Sequence, residues 1–259
     1  MKRLGLVIDT NLCIGCQSCV VACKTTNLRP ELWTDYDKSR IRLESAHACY
    51  PPTTDVGRPP SAKRIMATIQ CMHCDNAPCI VACPTGATYR RPDGIVAIDR
   101  DRCLGCGYCI DACPYGARYL DSEAGTVDKC NLCAELVDQG QDPACVTACP
   151  TGARVFGDLN DPSSAVSGLL GKEAVVQLKA QLGTQPKVYY VPPAGVDYPF
   201  EELPTSVPPQ KVPSPLVSVF KQYLKPLTEV AVLGVIGLGL IQMVKSRAEE
   251  RERRRQKVE

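Results

Sequence analysis

Short apolar stretches alternate with polar, cysteine-bearing segments over the first 160 residues of the chain. Residues 4–8, 65–69 and 95–98 are apolar runs of five residues or fewer, which predict short strands. Residues 19–23, 79–83 and 109–113 each have room for one or two turns of helix. The pattern predicts an α+β body built from short elements.

The pattern changes beyond residue 160. Residues 171–182 carry apolar side chains at helical spacing, which predicts a helix packed on the body. Residues 192–215 include eight prolines among 24 positions, which favours an extended arm along a surface. Residues 227–244 form an apolar run of 18 residues. As a helix this run would be about 27 Å long, slightly short of a hydrocarbon core of about 30 Å.

The apolar run 227–244 permits two interpretations. As a transmembrane helix, it would place the basic tail 245–259 in the cytoplasm by the positive-inside rule, and the body on the periplasmic face. No apolar secretory segment or twin-arginine start opens the chain, so an exported body would travel with a partner that carries a signal. As a soluble helix buried on a partner, the same run would allow a cytoplasmic body.

Composition narrows the function classes. A hydrophobic content of 44% excludes a disordered chain, and 30 Lys and Arg balanced by 28 Asp and Glu exclude a strongly basic nucleic-acid binder. The 17 cysteines are therefore the unusual feature, and a chain of 259 residues does not need them as disulfide staples. The cysteines indicate chemistry.

Sixteen of the cysteines fall into four groups of four, and Cys49 is left over as a predicted buried free thiol. The groups are Cys13, Cys16, Cys19 and Cys23; Cys71, Cys74, Cys79 and Cys83; Cys103, Cys106, Cys109 and Cys113; and Cys130, Cys133, Cys145 and Cys149. The first and third have the bacterial ferredoxin spacing, in which three thiolates bind one 4Fe-4S cube and the fourth binds its neighbour. The sequence Pro-x-Gly-Ala follows the last cysteine of the second, third and fourth groups, which indicates internal duplication.

Two other uses of the cysteines fit less well. A zinc site favours four ligands in two pairs, whereas these are triplets with a trailing cysteine, which proline follows in three of the four groups. A disulfide scaffold needs an oxidising compartment, and cysteines two residues apart in one loop rarely meet disulfide geometry.

The four groups, in this order and with wider second and fourth spacings, resemble the four-cluster iron–sulfur subunits of the membrane-associated molybdopterin oxidoreductases, the dimethyl sulfoxide reductase family. The resemblance covers roughly residues 1–160. It rests on residues 4–10 followed by Cys-Ile-Gly-Cys, and on the run 142–150 followed by Gly-Asp-Leu at 157–159. It implies that each group gives three thiolates to one 4Fe-4S cluster and one to a neighbour.

The resemblance implies four ligand sets, named here the first to fourth quartets. They are Cys13, Cys16 and Cys19 with Cys149; Cys130, Cys133 and Cys145 with Cys23; Cys71, Cys74 and Cys79 with Cys113; and Cys103, Cys106 and Cys109 with Cys83. In nitrate reductase relatives a ligand of the third group is replaced, whereas Cys106 is present here, so four 4Fe-4S clusters are expected.

The implied fold is two ferredoxin-like two-cluster modules, one inserted in the other. The outer half comprises residues 1–23 and 130–160, the inner half residues 65–120, and an insertion fills residues 24–64. A packing helix and Pro-rich arm (161–226), the transmembrane helix (227–244) and the basic tail (245–259) would follow.

No arrangement of nucleophile, base and oxyanion donor stands out, so the chain is expected to be a non-catalytic electron-transfer subunit. The implied partners are a molybdopterin-containing catalytic subunit and an integral membrane quinone-reactive subunit. Two alternatives stay open: a relay subunit of a membrane-bound nickel–iron hydrogenase, and a zinc-stabilised assembly scaffold.

Charged residues near the cysteines are candidates for tuning cluster potentials. Four cluster–thiolate units of about −2 each would turn the formal charge of +2 into about −6. The candidate cations are Lys24, Arg102, Arg118, Lys129 and Arg154; the alternative, favoured for any single one of them, is an ordinary solvated surface charge. His73, between Cys71 and Cys74, is expected either to donate to a cluster sulfur or to cap its loop.

Overall fold

The computed structural model describes residues 2–27, 53–56, 62–121, 124–172 and 174–195. All of them belong to the first of the two units into which the chain divides, residues 1–212. The insertion with Cys49, the arm beyond residue 195, the apolar run 227–244 and the basic tail lie outside the described residues, wholly or in large part. Within the described ranges, no helix is long and apolar enough to cross a membrane.

The elements are short and alternate, as the sequence predicts. In chain order they are β1 (Leu4–Asp9), α1 (Ser18–Asn27), β2 (Thr53–Val56), β3 (Lys63–Met66), α2 (Pro78–Val81), β4 (Thr88–Arg90), β5 (Val96–Ile98), α3 (Tyr108–Asp111), β6 (Tyr119–Asp121), β7 (Thr126–Asp128), α4 (Ala134–Asp138), α5 (Ala144–Thr147), β8 (Arg154–Asp158), α6 (Ala165–Lys172), a 3-10 turn (Ala180–Leu182) and β9 (Val188–Val191).

A three-stranded sheet of order β8-β1-β9 joins the two ends of the body. Strand β1 runs antiparallel to β8, with Leu4 opposite Asp158, and parallel to β9. Its residues are almost continuously apolar because both faces are covered. Leu6 and Ile8 enter the main core, while Val7 packs with Val166 on the other face.

The described residues form two halves that each contain a pair of packed cysteine-bearing helices. In the outer half, α1 packs against α5, although more than 100 residues separate them in the sequence. In the inner half, α2 packs against α3, and two antiparallel hairpins, β4-β5 and β6-β7, complete the unit. Along the sequence, the inner half is thus inserted between elements of the outer half.

Two predicted elements differ from the structure. The strand predicted at residues 65–69 is shifted to Lys63–Met66, where it pairs with β2, while Ile69 is buried in a bridge position beyond the end of the strand. The single helix predicted at 171–182 is wrong. Helix α6 ends at Lys172, Val176 pairs with Tyr190 in an isolated bridge, and Lys179 adopts a left-handed backbone. The apolar spacing there reflects Leu178 entering the core rather than one helical face.

The segment that ends in β9 lies beyond residue 160, where the predicted body ends, and it forms hydrogen bonds with the second cysteine loop. The amide of Lys187 donates to the carbonyl of Met72 at 2.8 Å, and the amide of Asp75 donates to the carbonyl of Gln185 at 2.9 Å. The buried Lys187 ammonium also lies 3.2 Å from the Asp75 carboxylate. The apolar pattern of the sequence predicts neither this strand nor this buried lysine.

Candidate metal centres

All four cysteine loops share one unusual backbone turn. The residue before the second cysteine has a positive φ in every group: 66° at Gly15, 46° at His73, 63° at Gly105 and 53° at Leu132. Glycine adopts this conformation at no steric cost, whereas His73 and Leu132 are held in it by their surroundings. The shared turn shows that the two wider-spaced groups fold locally like the two ferredoxin-spaced ones.

The Pro-x-Gly-Ala tails repeat a second turn. Gly86, Gly116 and Gly152 have φ values of 63°, 58° and 66°. Each donates its amide to the carbonyl of the preceding cysteine three residues back, at 3.2, 3.2 and 3.3 Å respectively. The duplication seen in the sequence is therefore also a duplication of backbone geometry.

Backbone amides donate to cysteine sulfur in several loops. The amide of Thr88 donates to Cys83 Sγ, and that of Val127 to Cys103 Sγ, both at 3.4 Å. Such bonds favour the thiolate over the neutral thiol, and the thiolate is the form that binds iron.

The first quartet lines one cavity. Cys13, Cys16, Cys19 and Cys149 line a pocket that is partly open to solvent, together with Met66, Thr68 and Arg154 among others. Thiolate sulfur is the donor that 4Fe-4S clusters take, so this donor set fits the implied group. The cavity brings together three cysteines from the start of the body and one from its end.

Within the second quartet, and likewise within the third, the charges of neighbouring cysteines raise one another's pKa. Burial raises the pKa of Cys23 to about 12, and the neighbouring Cys145 and Cys133 act in the same direction. Burial likewise raises the pKa of Cys74 to about 12, with Cys71, Cys113 and Cys79 adding to the effect. The sulfurs within each of these two sets therefore lie close to one another.

The fourth quartet is less closely connected. Burial raises the pKa of Cys109, and Cys103 contributes in the same direction. Hydrogen bonds from the Thr88 amide and from Thr85 lower the pKa of Cys83 against its burial. Within the described residues, no three Cys, His, Asp or Glu side chains are placed to chelate one metal ion.

Three of the five candidate cations are buried, and the surface alternative is wrong for them. Arg118, Lys129 and Arg154 are 4%, 3% and 4% exposed. Arg102 is exposed and donates to the Thr85 carbonyl at 2.6 Å, while Lys24 is half-buried.

His73 is fully buried and bonds to the backbone of the neighbouring strand. Its Nδ1 accepts from the Val96 amide at 3.1 Å. Burial lowers the pKa of His73 well below its ordinary value, and the charges of Lys129, Lys187 and Arg118 lower it further, so the ring is neutral. The ring hydrogen therefore lies on Nε2, which has no hydrogen-bond partner among the described residues.

Known proteins match the cysteine-bearing parts of the sequence. A family described as 4Fe-4S dicluster domain matches residues 62–159, and one described as 4Fe-4S binding domain matches residues 6–25. All sixteen grouped cysteines lie in these two ranges, and Cys49 does not. The match to iron–sulfur families decides against the zinc-stabilised scaffold.

Three relatives match about three quarters of this sequence. The protein is 40% identical over 201 residues to the B subunit of the sulfite dehydrogenase of Allochromatium vinosum, which covers 74% of this sequence and 84% of that one. It is 39% identical over 192 residues to the B component of the polysulfide reductase of Wolinella succinogenes, which covers 74% and 95%. It is 38% identical over 193 residues to the B subunit of the tetrathionate reductase of Salmonella typhimurium, which covers 73% and 72%.

This protein belongs to the iron–sulfur subunits of the dimethyl sulfoxide reductase (molybdopterin oxidoreductase) family. As a member of that family it is an electron-transfer subunit, which confirms the function predicted from the cysteine groups. The ferredoxin-like 4Fe-4S domains predicted for the body are confirmed as well.

Proposed function

We propose that this iron–sulfur subunit relays single electrons through four 4Fe-4S clusters, one in each quartet. The observation that carries the proposal is the recurrence of one left-handed turn in all four loops, at Gly15, His73, Gly105 and Leu132. A loop with this turn wraps three cysteines around one centre. Four such loops therefore favour four clusters over two.

The exchange of the fourth ligand between groups is supported by which cysteines lie together. Cys149 lines the cavity of Cys13, Cys16 and Cys19. Cys23 lies near Cys133 and Cys145. In the inner half, Cys113 lies near Cys74. Helices α1 and α5, and likewise α2 and α3, pack in pairs, which brings each trailing cysteine toward the partner loop.

The electrons would pass between a molybdopterin-containing catalytic subunit and an integral membrane quinone-reactive subunit. The relatives named above are the B components of a sulfite dehydrogenase, a polysulfide reductase and a tetrathionate reductase, so a separate catalytic subunit is expected. The apolar run 227–244 and the basic residues after it favour anchoring in the membrane with the tail in the cytoplasm and the clusters on the periplasmic face.

Anaerobic purification with the native partners tests the proposal. We expect about 16 iron atoms per chain, four one-electron signals in a redox-titrated EPR series, and a copurifying molybdenum subunit. About eight iron atoms per chain would overturn the four-cluster assignment. Nickel in place of molybdenum would overturn the proposed partner and favour the hydrogenase alternative.

A further inference from the structure

Three buried cations lie among the cysteines. Arg118, Lys129 and Arg154 are each 4% exposed or less. The described residues contain a fourth buried cation, Lys187, which pairs with the Asp75 carboxylate instead. Because an isolated buried charge is unstable, the first three require negative partners, and Arg118 has one in Cys79, to whose sulfur it donates at 3.0 Å.

Arg154 lies between the first and second quartets. Its side chain lines the cavity that Cys13 and Cys149 help to form, and its Nη2 donates to Gln70 Oε1 at 2.8 Å. Its charge also acts on Cys23, a member of the second quartet, where it opposes the rise in pKa caused by burial. One guanidinium therefore belongs to the lining of the first quartet and acts through its charge on a ligand of the second.

Arg118 has the same relation to the third and fourth quartets. Its Nη2 donates to Cys79 Sγ at 3.0 Å, and its Nη1 donates to Thr88 Oγ1 at 3.1 Å. The guanidinium also hydrogen-bonds Cys109, which belongs to the fourth quartet, and opposes the rise in its pKa caused by burial. It therefore bridges ligands of the two inner clusters.

Lys129 lies at the junction of the two halves. Its ammonium donates to the carbonyl of Cys130, a second-quartet residue, at 2.7 Å and also to the carbonyl of Val96. Its charge acts on Cys79 of the third quartet. The Val96 amide in turn donates to Nδ1 of His73, which lies between Cys71 and Cys74, at 3.1 Å, so Lys129 links the loops of the second and third quartets.

The sequence repeat explains two of these three positions. Arg118 follows Pro-x-Gly-Ala at 114–117, and Arg154 follows the same tail at 150–153. In the remaining copy of the tail, at 84–87, Thr88 stands at the equivalent position and accepts a hydrogen bond from Arg118. Each half therefore has one buried arginine for its two clusters.

We propose that Arg154, Lys129 and Arg118 occupy the three successive gaps of a four-cluster relay, and that each raises the reduction potential of the two clusters it separates. This inference rests on the proposed relay. When one electron moves between neighbours, one unit goes from about −2 to about −3 and the donor unit returns to about −2, with no proton transferred. A fixed positive charge between them stabilises the reduced form of both and weakens their mutual repulsion.

Potentiometric EPR titration of the holo complex tests the placement, with Arg154→Gln, Lys129→Gln and Arg118→Gln compared with the unsubstituted protein. Signals of the first and fourth clusters are assigned through ligand substitutions. We expect each variant to lower the reduction potentials of only the two clusters that flank the substituted residue. The expected shift is about 59 mV or more for each, which corresponds to a tenfold change in the equilibrium constant of a one-electron reduction. Arg102→Gln is the matched control, because Arg102 is next to Cys103 in the sequence but exposed, and it should shift none.

The pattern of shifts decides the outcome. A uniform shift of all four signals, or no shift at full iron content, would overturn the inference. If the glutamine variants lose iron, the charge-conserving variants Arg118→Lys and Arg154→Lys are titrated instead. Any shift in reduction potential must then be confined to the two clusters beside the substituted residue, and a shift in another cluster overturns the inference. Fewer than four signals in the unsubstituted complex would instead overturn the proposed function.

Discussion

The first and second cysteine loops have the same turn but opposite surroundings. In the outer half, Cys16 is exposed, and hydrogen bonds with the side chain and backbone of Ser18 lower the pKa of its thiol. In the inner half, Cys74 is buried within the main apolar core, and burial raises the pKa of its thiol to about 12. The equivalent position in the repeat therefore lies at the surface in one half and in the core in the other.

This difference indicates what the duplication preserves and what it leaves free. The backbone turn, which wraps three cysteines around one centre, is kept in both halves. The polarity around that centre is not kept, and it is one of the quantities that set the potential of a cluster. A repeated unit can thus supply a series of chemically identical groups with different potentials.

The largest difference between the two loops is expected when the equivalent cysteine is removed from each. Cys16→Ala should cost at most the four iron atoms of one cluster, because its loop lies at the surface. Cys74→Ala should cost about eight or more, because the third quartet forms part of the core that holds the inner half together. Iron analysis of the purified complex, with limited proteolysis of the inner half, measures both effects.

Equal iron loss in the two variants would contradict this interpretation. It would mean that the core is held by its apolar residues alone, and that the third cluster fills space without supporting the fold.

Two glycines with the same backbone conformation should differ in how much an added side chain destabilises the protein. A Cβ at Gly105, in the third cysteine loop, would collide with the backbone carbonyl oxygen of Gly125, whereas a Cβ at Gly152 would meet nothing within 4 Å. Gly152→Ala should therefore cost only the penalty of a left-handed backbone, about 1–2 kcal/mol. Gly105→Ala should cost clearly more, because backbone must also move.

Thermal unfolding of the holoprotein variants measures this difference. Equal shifts in melting temperature would show that the loop of Gly105 relaxes away from Gly125 at little cost, and that the third loop is less closely packed than the structure indicates.

Much of the site is predictable from the sequence because the cysteine spacing acts locally. The conformation of a loop such as residues 103–109 is set by residues that are close together in the sequence, namely its cysteines and glycines. Its form can therefore be predicted from the local sequence pattern. Strand β9 could not be predicted in the same way, because its four residues find their partner in β1 about 180 residues away. Long-range pairing leaves little trace in a short apolar run.

The buried cations illustrate a signal that the sequence contains but that charge counting overlooks. Arginine is exposed in most proteins, so surface solvation is a reasonable expectation for Arg118 and Arg154. Their identical position after Pro-x-Gly-Ala is the feature that distinguishes them from Arg102. Lys129 and Lys187 have no such repeat, and their burial follows only from how the halves pack.

The smallest expected effect concerns an ion pair that joins the halves at the surface. Arg91, after β4 of the inner half, donates from Nη1 to the Asp138 carboxylate of α4 in the outer half at 3.1 Å. Hydrogen bonds from Arg91 lower the pKa of Asp138, so the contribution of this pair is present at neutral pH and is lost as pH falls through that lowered value. Because Asp138 is exposed, water and salt screen the pair, and Asp138→Asn should leave the melting temperature at pH 7 nearly unchanged. The two proteins should become indistinguishable below the pKa of the carboxyl, and a large loss at pH 7 would show instead that this contact, rather than the shared core, holds the halves together.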